Sequence, residues 1–358
     1  MLGGEFGLVD CIRDAGSPWL RGHFIVPGTK IRACSGRVRY PKTFGEVLSW
    51  ASRSVGGWHG KGSLRSEKAV KPPLFEYERV SSVDEAVARL AELGDEAKVL
   101  AGGQSLVPLL SLRLANPAYL VDINRVGDLS HIGNGSVVRL GAISRHRDVE
   151  RSQSVAQANP LLSAAVKYIG HAAIRNRGTI GGSVAHADPA AELPTVLVAL
   201  DGEIEARSSR GVRTIAAADF FEGFLTTALE PDELLTEVRF PVLPARTGWS
   251  IQEFSRRNGD FGVVTVAVTV AVDSGGRVSE ARIAFGGVAS KAVRAPSAES
   301  ALVGQIPSAE LWKAAAQEAA SGLDPSGDLH GTPQYRRHLA SVLTERALVQ
   351  AHGRVEEG

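Results

Sequence analysis

Residues 174–189 read Ile174-Arg175-Asn176-Arg177-Gly178-Thr179-Ile180-Gly181-Gly182-Ser183-Val184-Ala185-His186-Ala187-Asp188-Pro189. A glycine pair followed by a hydroxyl, Gly181-Gly182-Ser183, lies between two upstream arginines and two downstream acids, Asp188 and Glu192. Adjacent glycines let the backbone turn so that successive N–H groups face one concavity, which suits a pyrophosphate. Pro189 is placed to start a helix over 190–200. A tight turn with solvated arginines accounts for the same letters.

A second stretch of this texture lies upstream, Val99-Leu100-Ala101-Gly102-Gly103-Gln104-Ser105-Leu106. A short strand over 98–101 delivers the chain to Gly102 and Gly103, and Ser105 adds a hydroxyl donor. A strand-to-helix turn with no ligand is the alternative here. Two such loops in one domain point to a dinucleotide. Neither matches the G-x-G-x-x-G of a Rossmann site, and no G-x-x-x-x-G-K-[ST] occurs, so the fold expected is not doubly wound.

Working outward, Ser82 and Glu85 form a capping box ahead of a helix whose apolar face is Val83, Ala86, Val87 and Leu90. Strands are expected over 119–123, 137–141, 203–207 and 233–240, and a helix over 160–168. Pro241 and Pro244 mark a break. Beyond it, 248–255, 263–272 and 278–286 read as three strands, followed by helices over 308–320 and 334–350. The class is α+β, in three parts. Residues 1–69 are an N-terminal extension, disordered or a misassigned start with translation beginning at Val70. Residues 70–244 form an α+β domain, and 245–352 a smaller one of three strands with helices.

The 358 residues carry 44% hydrophobic and 22% charged side chains and a formal net charge of +1. That balance calls for neither nucleic acid nor an anionic membrane. The longest mostly apolar stretch, Phe261–Val272, is too short to span a bilayer. Met1–Asp14 lacks the basic start of a secretory signal, so the cytoplasm is the expected location. Two cysteines, Cys11 and Cys34, cannot by themselves hold a four-thiolate iron–sulfur cluster. No metal ligand pair is present, and His171 and His186 read as structural or surface residues. His146, between Arg145 and Arg147, reads as a solvated basic turn.

Several blocks resemble the FAD-binding subunit of molybdenum hydroxylases, the carbon monoxide dehydrogenase/xanthine dehydrogenase family. Ala101–Pro108, with Leu112-Arg113-Leu114 and Leu120-Val121-Asp122-Ile123, resembles the family's first FAD motif, and 174–189 its second. Phe220–Phe224, Leu234–Val238 and Phe254–Phe261 match later blocks, and Tyr335-Arg336, Leu339 and Arg346-Ala347-Leu348 match the closing helix. The resemblance spans roughly 70–350 of the chain.

It implies an FAD-binding domain of the para-cresol methylhydroxylase type followed by a smaller C-terminal domain of the carbon monoxide dehydrogenase flavoprotein type. It also implies roles. Ala101, Gly102, Gly103, Gln104, Ser105 and Leu106 would hold the FAD pyrophosphate, with Thr179, Gly181, Gly182 and Ser183 as the other wall. Glu192 and Asp188 are the acidic candidates near the flavin, Ile169 stands where relatives place an aromatic, and Leu235 lines the site. Gln252 falls where some relatives carry a lysine. FAD is expected to be non-covalent, because Gln104 stands where covalent flavoproteins of this fold place histidine.

The resemblance further implies electron transfer. Iron–sulfur clusters of the 2Fe–2S kind on a small subunit and a molybdenum cofactor on a large subunit would feed FAD on this chain. FAD would pass the electrons on to NAD, a quinone or another acceptor. The assembly expected is a dimer of heterotrimers. No catalytic side chain is needed on this chain, and no G-x-S-x-G elbow surrounds Ser105 or Ser183. The competing readings are a stand-alone FAD-dependent reductase or oxidase of the same fold, and a scaffold that has lost its flavin.

Overall fold

A computed structural model describes residues 71–356. The extension expected over 1–69, with both cysteines, lies outside the described residues.

The chain enters through β1 (Glu76–Arg79) and α1 (Val83–Leu93). Ser82 caps α1 by accepting the Glu85 N–H at 3.1 Å, and the Glu85 carboxylate returns to the Ser81 N–H at 2.7 Å. Val83, Ala86, Val87 and Leu90 are its buried face. Then come β2 (Ala97–Leu100), α2 (Leu106–Ser111) and β3 (Tyr119–Asp122). These three strands form a parallel sheet of order β1-β3-β2 with its own small core against α1.

Next are β4 (Ile132–Asn134), β5 (Val137–Gly141), α3 (His146–Arg151), α4 (Gln153–Ala158) and α5 (Pro160–Ala165). Asn159 caps α5 through the Leu162 N–H, Pro160 takes the first helical position, and the Asn159 amide donates to the Pro241 carbonyl. After α6 (Ala172–Arg175), α7 (Ile180–His186) and α8 (Glu192–Ala199) come β6 (Glu203–Ser208), β7 (Gly211–Ala216), α9 (Ala217–Phe220), β8 (Phe221–Gly223), β9 (Thr226–Thr227) and β10 (Leu234–Pro241). Strands β4-β5-β10-β6-β7 make a five-stranded antiparallel sheet. Helix α8 starts at Glu192, two residues later than its sequence suggests. Asp188 turns the chain first, taking the Ala190 N–H on its side chain and the Ala191 N–H on its carbonyl.

The last part holds β11 (Thr247–Phe254), β12 (Val264–Val272), β13 (Val278–Gly286) and β14 (Val293–Arg294), followed by α10 (Pro296–Leu302), α11 (Ala309–Ser321) and α12 (Pro333–Glu356). The three long antiparallel strands gain β14 at the edge, two residues that are too few to show a period in sequence. This sheet is covered on both faces. Val264, Val266, Val268 and Val270 pack with Trp312, Ala340 and Ala347 of the closing helices. Ile251, Ala267 and Ala284 belong instead to the main core, with Val184, Leu193, Val196 and Leu197. One hydrophobic cluster therefore runs across the break at Pro244. The period-2 alternation of the strands produces this split, and each fully buried Leu or Val contributes about 1.5–3 kcal/mol.

Candidate functional site

The two glycine loops meet. A Cβ on Gly102 would lie 2.5 Å from the Arg177 carbonyl oxygen and 2.9 Å from the Gly178 Cα. A Cβ on Gly182 would come within 3.7 Å of the Ala101 Cβ. Strand β2 brings in the first loop, and the short antiparallel bridge Arg145–Thr179 holds the second.

In the first loop Gly103 has φ +73°, the left-handed region that glycine enters at least cost. Gln104 is exposed and folds its amide back onto the Gly102 carbonyl at 3.1 Å. Among the described residues, no protein acceptor takes the backbone N–H of Gly102, Gly103, Gln104 or Ser105. A run of successive free amides beside glycines is able to cradle an anion.

The second loop contrasts with it. Gly178 donates to Ile174, Ile180 to Ser144, Gly181 to Ala142 and Ser183 to the Thr179 carbonyl. Thr179 caps α7 by accepting the Gly182 N–H at 3.1 Å. Arg175, exposed in the simplest reading of the sequence, is bound to Glu150 and to the carbonyls of Ile169 and Gly170. Arg177 is exposed.

His146 is not a solvated turn residue. It is buried beneath this loop, with Nε2 donating to the Thr179 carbonyl at 2.9 Å. Its arginine neighbours turn away, Arg147 to Glu150 and Arg145 to the Arg177 carbonyl, which leaves the imidazole facing inward. Burial, with Arg145 and Arg175 nearby, pushes its pKa down to about 4, so the ring is neutral. A Cβ on Gly178 would meet His146 Nδ1 at 2.7 Å, so the histidine requires a glycine there.

Glu192, at the start of α8, is 4% exposed. Burial, then the neighbouring Glu253, then Asp188 push its pKa up to about 8. Glu253 of β11 is pushed up by burial to about 7 and accepts from Thr265 Oγ1 at 3.0 Å. The two buried carboxyls therefore disfavour each other's ionisation, and the second to lose its proton does so against the charge of the first.

Alternation decides which β11 side chain faces the main core. Gln252 donates to Gln350 of α12 at 3.0 Å, on the sheet face turned toward that helix. Glu253 lies on the same face as Ile251, turned to the main core. Gln252, expected near the flavin, thus lies on the α12 side, and the period-2 pattern through Ile251 is what places Glu253 on the opposite face. Ile169 and Leu235 are buried in the main core, Leu235 beside a bulge in β10.

Asp188 alone among the expected residues lines a cleft of about 810 Å³ whose other walls include Phe224, Arg256, Asp260, Phe261 and Arg336. Arg336 is buried there, donating to the Val263 and Gly287 carbonyls and to Asp328. Among the described residues no cluster of three His, Cys, Asp or Glu is arranged to hold a metal ion, and no helix is long and apolar enough to cross a membrane.

Residues 73–243 match the family model for the FAD binding domain in molybdopterin dehydrogenase, and 249–351 the CO dehydrogenase flavoprotein C-terminal domain. The chain is 44% identical to the 6-hydroxypseudooxynicotine dehydrogenase complex subunit alpha of Paenarthrobacter nicotinovorans, over 79% of this chain and 96% of that one. It is 40% identical to the carbon monoxide dehydrogenase medium chain of Hydrogenophaga pseudoflava, over 79% and 99%. The structure of the carbon monoxide dehydrogenase of that organism superposes with a TM-score of 0.77 at 42% identity, covering 79% of this chain and 99% of the other. Quinoline 2-oxidoreductase from Pseudomonas putida 86 gives 0.76 at 38% identity, covering 80% and 99%.

Proposed function

This chain belongs to the FAD-binding medium subunits of the molybdenum hydroxylases, the carbon monoxide/xanthine dehydrogenase family, and from that premise we propose that it is the electron-transfer subunit of such a complex. The observation that carries this reading is the run of free amides from Gly102 to Ser105, set against a second loop too close to tolerate any side chain at Gly102. The first loop would bind the FAD pyrophosphate through backbone N–H groups and the Ser105 hydroxyl. Thr179, Gly181, Gly182 and Ser183 form the wall behind it. Asp188, Glu192 and Glu253 supply acidic groups on the side of the C-terminal sheet, the last two with pKa values raised by burial.

Bound there, FAD would supply the redox chemistry, taking electrons from a 2Fe–2S cluster on a small subunit and passing them to NAD, a quinone or another acceptor. The molybdenum cofactor would sit on a large subunit, in a dimer of heterotrimers in the cytoplasm. Gln104 has no nucleophile to offer the flavin, so the cofactor is non-covalent. The protein's part is to bind, orient and exclude water.

The test is to tag the chain in its own host, purify it gently and record the visible spectrum of what accompanies it. Flavin bands over broad iron–sulfur absorption, with FAD released by acid, are expected. Flavin on a single polypeptide would replace this reading with a stand-alone FAD oxidoreductase. Flavin retained on the denatured chain would overturn the non-covalent assignment.

A further inference from the structure

Between the two loops stands a pair of side chains that neither motif contains. Asn124, just past β3, donates its amide to the Ala101 carbonyl at 2.7 Å. Its Oδ1 accepts from Arg145 Nη2 at 2.6 Å. Arg145 Nη1 donates to the carbonyl of Arg177. The path Ala101–Asn124–Arg145–Arg177 therefore ties the carbonyl before Gly102 to the carbonyl before Gly178. Asp122 orients it, accepting the Asn124 N–H at 2.8 Å and its side-chain amide at 2.6 Å.

We propose that Asn124 and Arg145 are positioning residues for the diphosphate of the dinucleotide, a strut that holds the two glycine loops at the spacing the diphosphate requires. The proposal rests on the FAD reading above. Its physical basis is the planar peptide. In a trans peptide the C=O and N–H point in opposite directions, so drawing the Ala101 carbonyl onto Asn124 aims the Gly102 N–H to the other side. That N–H is the first of the four with no protein acceptor among the described residues.

Charge points the same way. Arg145 is half-buried and has no carboxylate at ion-pair distance among the described residues; burial and the neighbouring Arg177 depress its pKa. A partly desolvated cation whose nearest carboxylates, Asp148 and Asp122, stand beyond ion-pair distance is costly, and a closer anion relieves the cost. The strut thus fixes the cradle's shape and places positive potential behind it.

The test uses the purified complex, stripped of flavin and titrated with FAD, in wild type, Arg145→Met, Arg145→Lys and Asn124→Asp forms. Losing a charge-assisted bond between the loops should weaken FAD binding by about tenfold or more in Arg145→Met. Lysine cannot bridge two acceptors in a fixed fork, so Arg145→Lys should recover little. Asn124→Asp keeps the shape but cannot donate to Ala101, and should also weaken FAD. Hydrogen exchange provides the readout that general destabilisation would not reproduce. On adding FAD, protection should fall short in the variants over 101–106 and 177–183 together, with 264–286 unchanged.

Wild-type affinity in Arg145→Met, or full recovery by lysine, would overturn the strut. If Arg145→Met does not fold, Asn124→Asp decides by the same titration. A wild-type complex that takes up no FAD would sink the underlying reading, and the strut with it.

Discussion

The loops at 99–106 and 174–183 share a glycine pair followed closely by serine, yet the fold uses them in opposite ways. In the first, four successive backbone N–H groups have no protein partner among the described residues. In the second, the amides of Gly178, Ile180, Gly181, Gly182 and Ser183 all donate to protein oxygens. One loop leaves its donors free to face outward, and the other has committed its own to the fold. The glycines differ accordingly. Gly103 is there for its positive φ, Gly102 for its contact with Arg177, and Gly178 for the ring of His146. Motif resemblance treats the loops as equivalent halves of a site, whereas hydrogen-bond accounting separates donor from buttress.

The largest expected effect tests that separation. Gly102→Val would drive a side chain into the backbone at Arg177 and Gly178, which has no rotamer with which to move aside. FAD retention should fall by at least about 100-fold, measured as flavin per complex after gel filtration. Gly182→Val meets the Thr179 hydroxyl at 2.6 Å, a side chain rather than backbone, so its loss should be large but smaller. Equal losses would erase the distinction between the loops, and normal flavin in both would remove the site.

Next comes pH, and here too the loops differ. Through α7 and Asp188 the second leads to a buried acid whose pKa is raised, Glu192; the buried acid behind the first, Asp122, is instead held by hydrogen bonds from Asn124. Glu192 has its folded pKa raised to about 8 from an ordinary value of 4.5. Its contribution to stability is fully present below about 4.5 and lost as pH rises through about 8. Glu192→Gln cannot ionise and escapes that loss. Its melting temperature should lie close to wild type at pH 5 and exceed it by pH 8.5, by the equivalent of up to about 4 kcal/mol. A constant gap across that range would show that Glu192 does not titrate as its burial requires. If FAD affinity followed the same pH curve, the acid would also act on the flavin side.

Much of this was legible in the sequence because it rests on local rules. The Ser82 cap, the buried face of α1 and the three long strands of the C-terminal sheet follow from spacing alone, whereas the glycine loops stand out by their resemblance to a family motif more than by spacing. Spacing says less about where side chains point once distant segments meet. His146 sits between two arginines in sequence, but in space its arginines are taken by Glu150 and the Arg177 carbonyl, and the ring goes inward. Gln252 and Glu253 are adjacent, and only the alternation fixed by Ile251 assigns Glu253 to the core face. The strut is less legible still. Ala101, Asn124, Arg145 and Arg177 come from four segments, with no motif to connect them.

The smallest effect bears most directly on the buttress. Thr179 accepts the Gly182 N–H at 3.1 Å, and its carbonyl accepts from His146. Thr179→Ala removes the cap but leaves that carbonyl and the Ser183 bond in place. The expected cost is about 1 kcal/mol of stability, read as a lower melting temperature of the flavin-free complex. FAD affinity should drop only a few-fold, because the lost bond belongs to α7 and not to the donating loop. Thr179→Ser keeps the hydroxyl and should restore both. If Thr179→Ala instead weakened FAD as severely as Gly102→Val, the hydroxyl would be in direct service of the diphosphate. The second loop would then be a donor as well, and the asymmetry between the loops would be one of packing and not of function.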